Sequence, residues 1–346
     1  MSDPHSFAAV PMKTVGPIRL AGPEVEGEVS IPLATYESPL WPSVDRGARV
    51  TRACGGLKVV VVDERMTRSI VVQAPGAAAA AAVARALPDR MGDLQEAVAT
   101  TSRFAQLLDV HTQVAGNLLY VRFELSTGDA SGHNMVTKAA DALMKWLLHE
   151  YPLLTYISVS GNYCTDKKVS AVNGILGRGR YVVAEAVIPR EVGQKLLRTT
   201  PEKIAEINLK KNLIGTMLAG GLRSANAHFA NMLLGFYLAT GQDAANLVEG
   251  SQGFVHAEVT PDGDLYFSCT LPHLIVGTVG NGKDLGFVRD NLEKMGCLAD
   301  RKPGENARRL AILCAAGVWC GELSLLAAQT NPGELMRAHL ALERKK

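Results

Sequence analysis

The chain has almost no excess charge of either sign: 36 Lys and Arg stand against 34 Asp and Glu, a formal net charge of +2. Such a balance gives no electrostatic reason to expect nucleic acid or an anionic membrane surface as a partner. The six cysteines (Cys54, Cys164, Cys269, Cys297, Cys314, Cys320) form no C-x-x-C pair. A zinc site or a disulfide framework is therefore not indicated, no metal is expected, and free thiols fit a reducing cytoplasm. MSDPHSFAAV lacks a basic stretch followed by an apolar run, so no secretory signal is visible. No G-x-G-x-x-G follows a β-branched run, which argues against a Rossmann domain. Internal repeats and low-complexity linkers are missing too.

What is there points to a well-packed protein. At 346 residues the chain is long enough for about two domains. An apolar fraction of 47% with 20% charged residues implies substantial burial and excludes disorder. The most apolar window, 311–328, contains Glu322 and several small residues and reads as a buried helix rather than a membrane span.

Val59–Val62 and Ile70–Val72 flank the charged DERMTRS, a hairpin-like pattern. Six alanines, 77–82, open a helix that follows Pro75-Gly76 and stops before Pro88. A second helix is expected over about 91–109, a strand over 118–125, a helix over 133–150 and a strand over 155–160. The resulting order, strand-helix-helix-strand-helix-strand, suits a small α+β unit with helices layered on one antiparallel sheet. Residues 170–346 read as mostly helical, with one sheet-like stretch near 252–279.

The most informative stretch for chemistry is Ser160-Gly161-Asn162-Tyr163-Cys164-Thr165-Asp166-Lys167-Lys168. A polar loop carrying one carboxylate and two ammonium groups suits an anionic substrate and a developing oxyanion; the plain alternative is a solvated turn. Glu37, in ATYES, is by itself a lone loop carboxylate. In GDASGHNM, two glycines before a helix can expose backbone N–H groups to a phosphate, and Asp129 can equally be an N-cap. GTVGNGK, from Gly277 to Lys283, is either a second cradle or an ordinary turn. A helix is expected from about Gly221, placing His228 and Asn231 on one face. Asp243 lies 15 residues beyond His228, about 22 Å along a continuous helix. Either the chain turns back at Gly241, or Asp243 serves a site completed by a second subunit; the shared site is the expectation.

Taken together and in order, ATYES, DRGAR, DERMTR, TSRFAQL, GDASGHNM, SGNYCTDKK, GRGR, KNLIGTMLAGG, NAHFAN, TGQDAAN, DLYFSCTLP, GTVGNG and GELSLLAA resemble the catalytic part of the 3-hydroxy-3-methylglutaryl-CoA (HMG-CoA) reductase family. The wording is similar to the NADPH-using class I type in its soluble, actinomycete-like bacterial form, from Val15 to His339. The resemblance implies a two-step, four-electron reduction of HMG-CoA to mevalonate and CoA by NADPH. It implies an α+β fold in which a small ferredoxin-like cofactor domain, 73–159, is inserted into a large, mostly helical domain of 1–72 and 160–346. It also implies a homo-oligomer with active sites between subunits.

The resemblance assigns catalysis to Glu37, Lys167, Asp243 and His339. Lys167 would meet the oxyanion, Glu37 would supply protons from a carboxyl whose pKa burial raises, and Asp243 would couple to both. His339, near the C-terminus, would protonate the departing CoA thiolate. Arg68, Ser160, Asp166, Lys168, Lys211, His228 and Asn231 match positions around the HMG group. Ser43, Arg46 and Arg49 match positions near the CoA phosphates. Ser102 and Arg103 match the adenosine 2′-phosphate contacts, and Asp129, Gly132, Asn134, Met135, Val279, Gly280 and Gly282 fill the other dinucleotide positions. Ser131 and His133 stand where methionines are common, and Asn281 and Lys283 where Gly and Thr are. The tail 342–346 lacks the serine phosphorylated in eukaryotic members. The competing readings are a reductase of another acyl-CoA and a non-catalytic homologue.

Overall fold

The computed structural model describes residues 8–342, without the side chains at 338, 339, 341 and 342. The His339 side chain and the tail 343–346 lie outside the described residues. Nine strands are described: β1 (Met12–Ala21), β2 (Glu26–Ala34), β3 (Lys58–Gln73), β4 (Gln106–Ala115), β5 (Leu118–Ser126), β6 (Thr155–Ser158), β7 (Gly179–Ile188), β8 (Phe254–Val259) and β9 (Leu265–Leu274). β1 and β2 form their own antiparallel hairpin. The other seven make one antiparallel sheet in the order β4-β5-β3-β7-β9-β8, with β6 added alongside β3.

β3 organises the molecule. Its first half, Lys58–Arg65, pairs with β7, and its second half, Met66–Gln73, pairs with β5. Val59 belongs to a core shared with β7, β9 and the long helix Glu305–Gln329. Met66, Ile70 and Val72 belong to a second core under the helices Ala77–Ala86, Met91–Ala99 and His133–Glu150. The charged centre of β3 falls at the junction, where its charges find partners instead of solvent. Arg65 bonds Asp63 at 2.6 Å and also Glu124, Glu64 bonds Arg180 at 2.8 Å, and Arg68 lies 3.5 Å from Asp166.

Several expectations are corrected here. DERMTRS is not a turn: it holds no Gly, Pro or Asn, and its charges are paired across the sheet, so 58–73 runs as one strand. The second helix ends at Ala99, and β4 follows where Val110, Thr112 and Val114 alternate; β4 turns into β5 through Gly116-Asn117, with Gly116 at φ 59°. The segment after 170 is less helical than expected, because Gly179–Ile188 is β7, a strand with the inward-outward alternation of a half-buried sheet. The helix expected from Gly221 begins only at Phe229, with His228 at its N-cap.

Glu305–Gln329 is long and apolar enough to cross a membrane by length and composition, but 94% of its apolar 18-residue window is buried within the protein. It is the core helix. Helix Leu40–Ala53 packs so closely on it that a Cβ at Gly47 would collide with the Cys320 backbone.

Candidate active site

The loop 160–168 carries three non-glycine residues in the left-handed region: Asn162 (φ 59°), Thr165 (φ 41°) and Lys167 (φ 57°). Such strain persists only where surrounding contacts over-determine the backbone. Here Gly161 N–H donates to Ser69 O at 2.8 Å, Cys164 N–H to Ser69 Oγ at 3.1 Å, and Arg122 Nη1 to Tyr163 O at 3.1 Å. Arg178, 1% exposed, holds Asp166 at 2.6 Å and the fully buried Glu249 at 2.9 Å. Glu249 in turn accepts from Lys167 N–H at 3.3 Å. The loop is a pre-shaped platform that aims Lys167.

It aims Lys167 at Asp243, 2.7 Å away. The hydrogen bond that Lys167 donates to Asp243 is the main cause of its raised pKa, against partial burial. Burial pushes Asp243 upward, but the bond to Lys167 and the Ala245 N–H outweigh it and leave the carboxyl low. Lys167 is thus a permanent ammonium at neutral pH, a hydrogen-bond donor and point charge rather than a base. Asp243 reaches this position because the helix Phe229–Ala239 ends at Thr240 and the chain reverses through Gly241 at φ 62°. Arg68 lies 3.5 Å from the Asp166 carboxylate, Lys168 Nζ donates to the Asp166 backbone carbonyl at 3.0 Å, and Ser160 is exposed at the start of the loop.

Both glycine-rich loops converge beside this pair. Thr278 N–H donates to Asp129 O at 2.8 Å, Ala130 bridges Val279, and Gln242 holds both N–H and C=O of Gly277, at 2.9 and 3.1 Å. A Cβ on Gly132 would lie 2.6 Å from Thr127, and one on Gly277 would collide with the Ser131 amide. Gly280 and Gly282 have φ of 102° and 83°, and Val279, just before them, is 51% exposed. Bare backbone of this kind admits a pyrophosphate, so these residues fit a dinucleotide. Asn134 is exposed and Met135 half-buried at the start of helix His133–Glu150; the exposed Arg103 lines the adjoining cleft, and the half-buried Ser102 precedes it.

Asp129 takes a different part from the one expected. Both its oxygens are used within the chain, accepting from Gly304 N–H and Ala307 N–H at 2.9 Å each. It caps the long core helix from a distance of 175 residues or more, and only its backbone faces the second glycine loop. Lys283 turns its ammonium onto the Gly241 carbonyl, with burial bringing its pKa down to about 8. His133 Nε2 sits 3.1 Å from Asn246 Oδ1 and 3.8 Å from Asp166 Oδ1, tying the first glycine loop to the lysine loop.

The remaining site residues gather elsewhere. Glu37 Oε2 accepts from Asn231 Nδ2 at 2.9 Å, and His228 Nε2 bonds Gly321 O at 2.9 Å. With Ser43 and Arg46 they line a cavity of about 390 Å³. Ser43 Oγ and Arg46 Nε both bond Ser324 Oγ, at 3.0 and 2.9 Å, and Arg46 Nη1 bonds Glu334 at 2.8 Å; Arg49 is exposed on the same helix. Lys211 belongs to this group through its charge interactions with Glu322 and His228, and burial lowers its pKa. Within one chain Glu37 bonds Asn231 while Asp243 bonds Lys167, so any coupling of Asp243 to Glu37 is not made there. The 11-residue helix Phe229–Ala239, roughly 16 Å long, separates the two groups.

The sequence matches the family model described as Hydroxymethylglutaryl-coenzyme A reductase over residues 5–344. It is 47% identical to the 3-hydroxy-3-methylglutaryl-coenzyme A reductase of Pyrococcus abyssi over 337 residues, covering 97% of this chain and 82% of the relative. It is 42% identical to reductase 1 of Oryza sativa subsp. indica over 347 residues, 99% of this chain and 63% of the relative. The chain belongs to the hydroxymethylglutaryl-coenzyme A reductase family. Among solved structures, the class II reductase of Streptococcus pneumoniae, bound to NADPH in open conformations, superposes with a TM-score of 0.75 at 18% identity. That match covers 96% of this chain and 88% of the other and speaks for the fold. The Pyrococcus and Oryza relatives are archaeal and plant enzymes, where an actinomycete-like bacterial form was expected.

Membership makes the chain an oxidoreductase that reduces HMG-CoA, and it draws attention to supporting residues that sequence reasoning passed over. Arg178 and Glu249 fix the lysine loop, and the only sequence signal for either was Arg178 between Gly177 and Gly179, both with positive φ. Glu322 noticed only as an interruption in an apolar run, is fully buried and accepts from the N–H groups of Ala227 and His228, so it sets the start of the helix that carries His228 and Asn231.

Burial raises Glu322 to about 7 from 4.5, and burial lowers His228 to about 4 from 6.5. A raised carboxyl contributes stability that is full below its unfolded pKa and lost as pH rises through about 7. The depressed histidine does the reverse, contributing above 6.5 and losing it as pH falls through about 4. Between these limits the two slopes oppose one another. Glu322→Gln removes only the first, so urea unfolding at several pH values between about 5 and 6 should show the stability-versus-pH slope rising by about 1.4 kcal/mol per pH unit. An unchanged slope would mean that Glu322 stays ionised in the fold.

Proposed function

We propose that the chain reduces HMG-CoA to mevalonate and CoA at sites each assembled from two copies of itself. The observation that carries this reading is the division of the family's site residues into two groups at opposite ends of the helix Phe229–Ala239. Lys167 and Asp243 lie with the glycine loops, while Glu37, His228, Asn231 and Lys211 lie with the apolar cavity. One small acyl group cannot span both ends within one chain, but a two-fold partner can bring the second group of one copy against the first group of the other.

In that assembly Lys167, held protonated by Asp243, donates to the carbonyl oxygen of the thioester and then of the aldehyde as negative charge builds there. NADPH supplies the hydride. Gly132, Gly277, Gly280 and Gly282 offer the backbone it lies on, and Ser102 and Arg103 meet the 2′-phosphate that distinguishes it from NADH. Glu37, only half-buried in the single chain, acquires its desolvated surroundings from the partner and passes a proton to the new alcohol. His339 protonates the CoA thiolate. Ser43, Arg46 and Arg49 meet the CoA phosphates, with Arg46 exchanging Glu334 for a phosphate oxygen.

The same reading takes 73–159 as the cofactor domain, a ferredoxin-like insertion in the large domain, with helices over the second core. It takes the chain as class I and cytoplasmic; identity of 42–47% with archaeal and plant relatives, against 18% with a class II structure, favours that class. Following reduced-nicotinamide absorbance with HMG-CoA should show about two NADPH consumed per thiol released, with little turnover on NADH. Folded protein that turns over neither nucleotide would overturn the proposal.

A further inference from the structure

The cleft beside the first glycine loop has a volume of about 540 Å³ and is strongly cationic. Five cations line it, Arg65, Arg103, Arg180, Lys302 and Arg308, against two carboxylates, Glu64 and Glu305. Three of the cations are already paired: Arg65 with Asp63 at 2.6 Å, Arg180 with Glu64 at 2.8 Å, and Arg308 with Glu64, its Nε at 2.7 Å. Among the described residues, Arg103 and Lys302 are the two without a carboxylate partner. They stand on different walls. Arg103 lies over the Phe104 ring, 4.7 Å from its centroid, and both line the cleft.

Lys302 stands where the long helix begins, and its place is fixed by two bonds. Its own N–H donates to Glu305 Oε2 at 3.3 Å, and two residues on, Gly304 N–H donates to Asp129 Oδ2 at 2.9 Å. A Cβ on Gly304 would lie 3.7 Å from Gly128 Cα, so this wall touches the glycine loop itself. Asp129 already occupies the helix N-terminus, which leaves its amides unable to bind a ligand phosphate. The Lys302 ammonium, exposed and free to swing on its stem, is the charge that remains at that end.

We propose that Lys302 is a dinucleotide-binding residue that contacts the pyrophosphate lying on the Gly128–Gly132 loop, opposite Arg103 at the 2′-phosphate. The inference rests on the cofactor site proposed above and adds a residue to it. Because both nicotinamide dinucleotides carry the pyrophosphate, Lys302 serves affinity, and Arg103, with Ser102, serves the choice between them.

The test is binding of NADPH and of NADH to the full-length protein, read by nicotinamide fluorescence at low salt, for Lys302→Gln, Lys302→Arg and Arg103→Gln. Lys302→Gln should weaken both nucleotides about fivefold, with the loss shrinking at high salt, while Lys302→Arg keeps most of the affinity. Arg103→Gln should weaken NADPH alone. The HMG-CoA KM at saturating cofactor should not move in Lys302→Gln, which separates binding from a structural defect. Loss confined to NADPH in Lys302→Gln would place this lysine at the 2′-phosphate and overturn the assignment. No loss in Lys302→Gln with a clear loss in Arg103→Gln would sink the inference and leave the cofactor site standing. No loss in either would remove the cofactor site as well.

Discussion

Lys167→Ala and Glu37→Gln subunits, each nearly inactive alone, should regain turnover when they share an oligomer. Removing the ammonium that faces the oxyanion should cost about 10²–10³ in kcat. The loss is one of chemistry, since Lys167 and Asp243 have side chains 39% and 44% exposed and their ion pair contributes little to stability. Unfolding midpoints should therefore stay close to those of the parent. If each site takes Lys167 from one copy and Glu37 from the other, a mixed pair holds one doubly defective site and one intact site. Random mixing then restores about a quarter of the parent activity. Co-expressing the two variants under different tags and purifying on both isolates the mixed species, whose activity should rise to about half. Mixed oligomers that form but stay inactive would place Glu37 and Lys167 in unconnected roles, and the division of the site along Phe229–Ala239 would need another explanation.

How much of this was legible beforehand follows a physical pattern. Elements that satisfy themselves locally were readable: the alanine run at Ala77–Ala86 between Gly76 and Leu87, the alternation of β5 and the apolar spacing of His133–Glu150. Elements whose reasons are remote were not. β3 carries DERMTRS through the middle of a sheet because Glu124, Arg180 and Asp166, from three other segments, neutralise it. Asp129 looked like the cap of the helix just after it and instead caps one 175 residues away. Candidate site residues could be named because their motifs run in a fixed order, but their partition between two groups was a matter of where one helix ends. Residues that hold the site without touching substrate, such as Arg178, Glu249 and Glu322, leave no local pattern. The partners of Arg178 lie 12, 71 and 111 residues away, and those of Glu322 about 95.

The strain in the lysine loop explains why that hidden layer matters. Three residues with positive φ in a six-residue span are held only while Asp166, Tyr163 and the Lys167 amide keep their anchors. The anchors converge on two buried guanidinium groups, Arg122 and Arg178, which are 0% and 1% exposed. Loop geometry and fold stability are therefore carried by the same side chains. A change that loosens them should lower activity and stability together, unlike Lys167→Ala.

Arg178→Met is the sharpest case. Arg178 donates to Glu249 at 2.9 Å, to Asp166 at 2.6 Å and to Thr67 O and Oγ1 at 2.6 and 3.0 Å. Truncating it leaves Glu249, whose side chain is fully buried, as an unpaired charge. Burial already raises the Glu249 carboxyl, and Arg178 is the chief influence holding it down, so the variant carboxyl should take up a proton on folding. Breaking a buried pair in this way costs roughly 3–5 kcal/mol, whereas replacing both partners with apolar side chains of similar size costs much less. Urea unfolding should show Arg178→Met destabilised by about that amount and Arg178→Met/Glu249→Met recovering a large part of it. The double variant should still turn over poorly, because Asp166 and the Lys167 N–H have lost their anchors and the loop can relax from its left-handed conformations. A single variant within about 1 kcal/mol of the parent would show that Arg178 is not what holds this network together. Full activity in the double variant would show that the lysine loop keeps its shape without it.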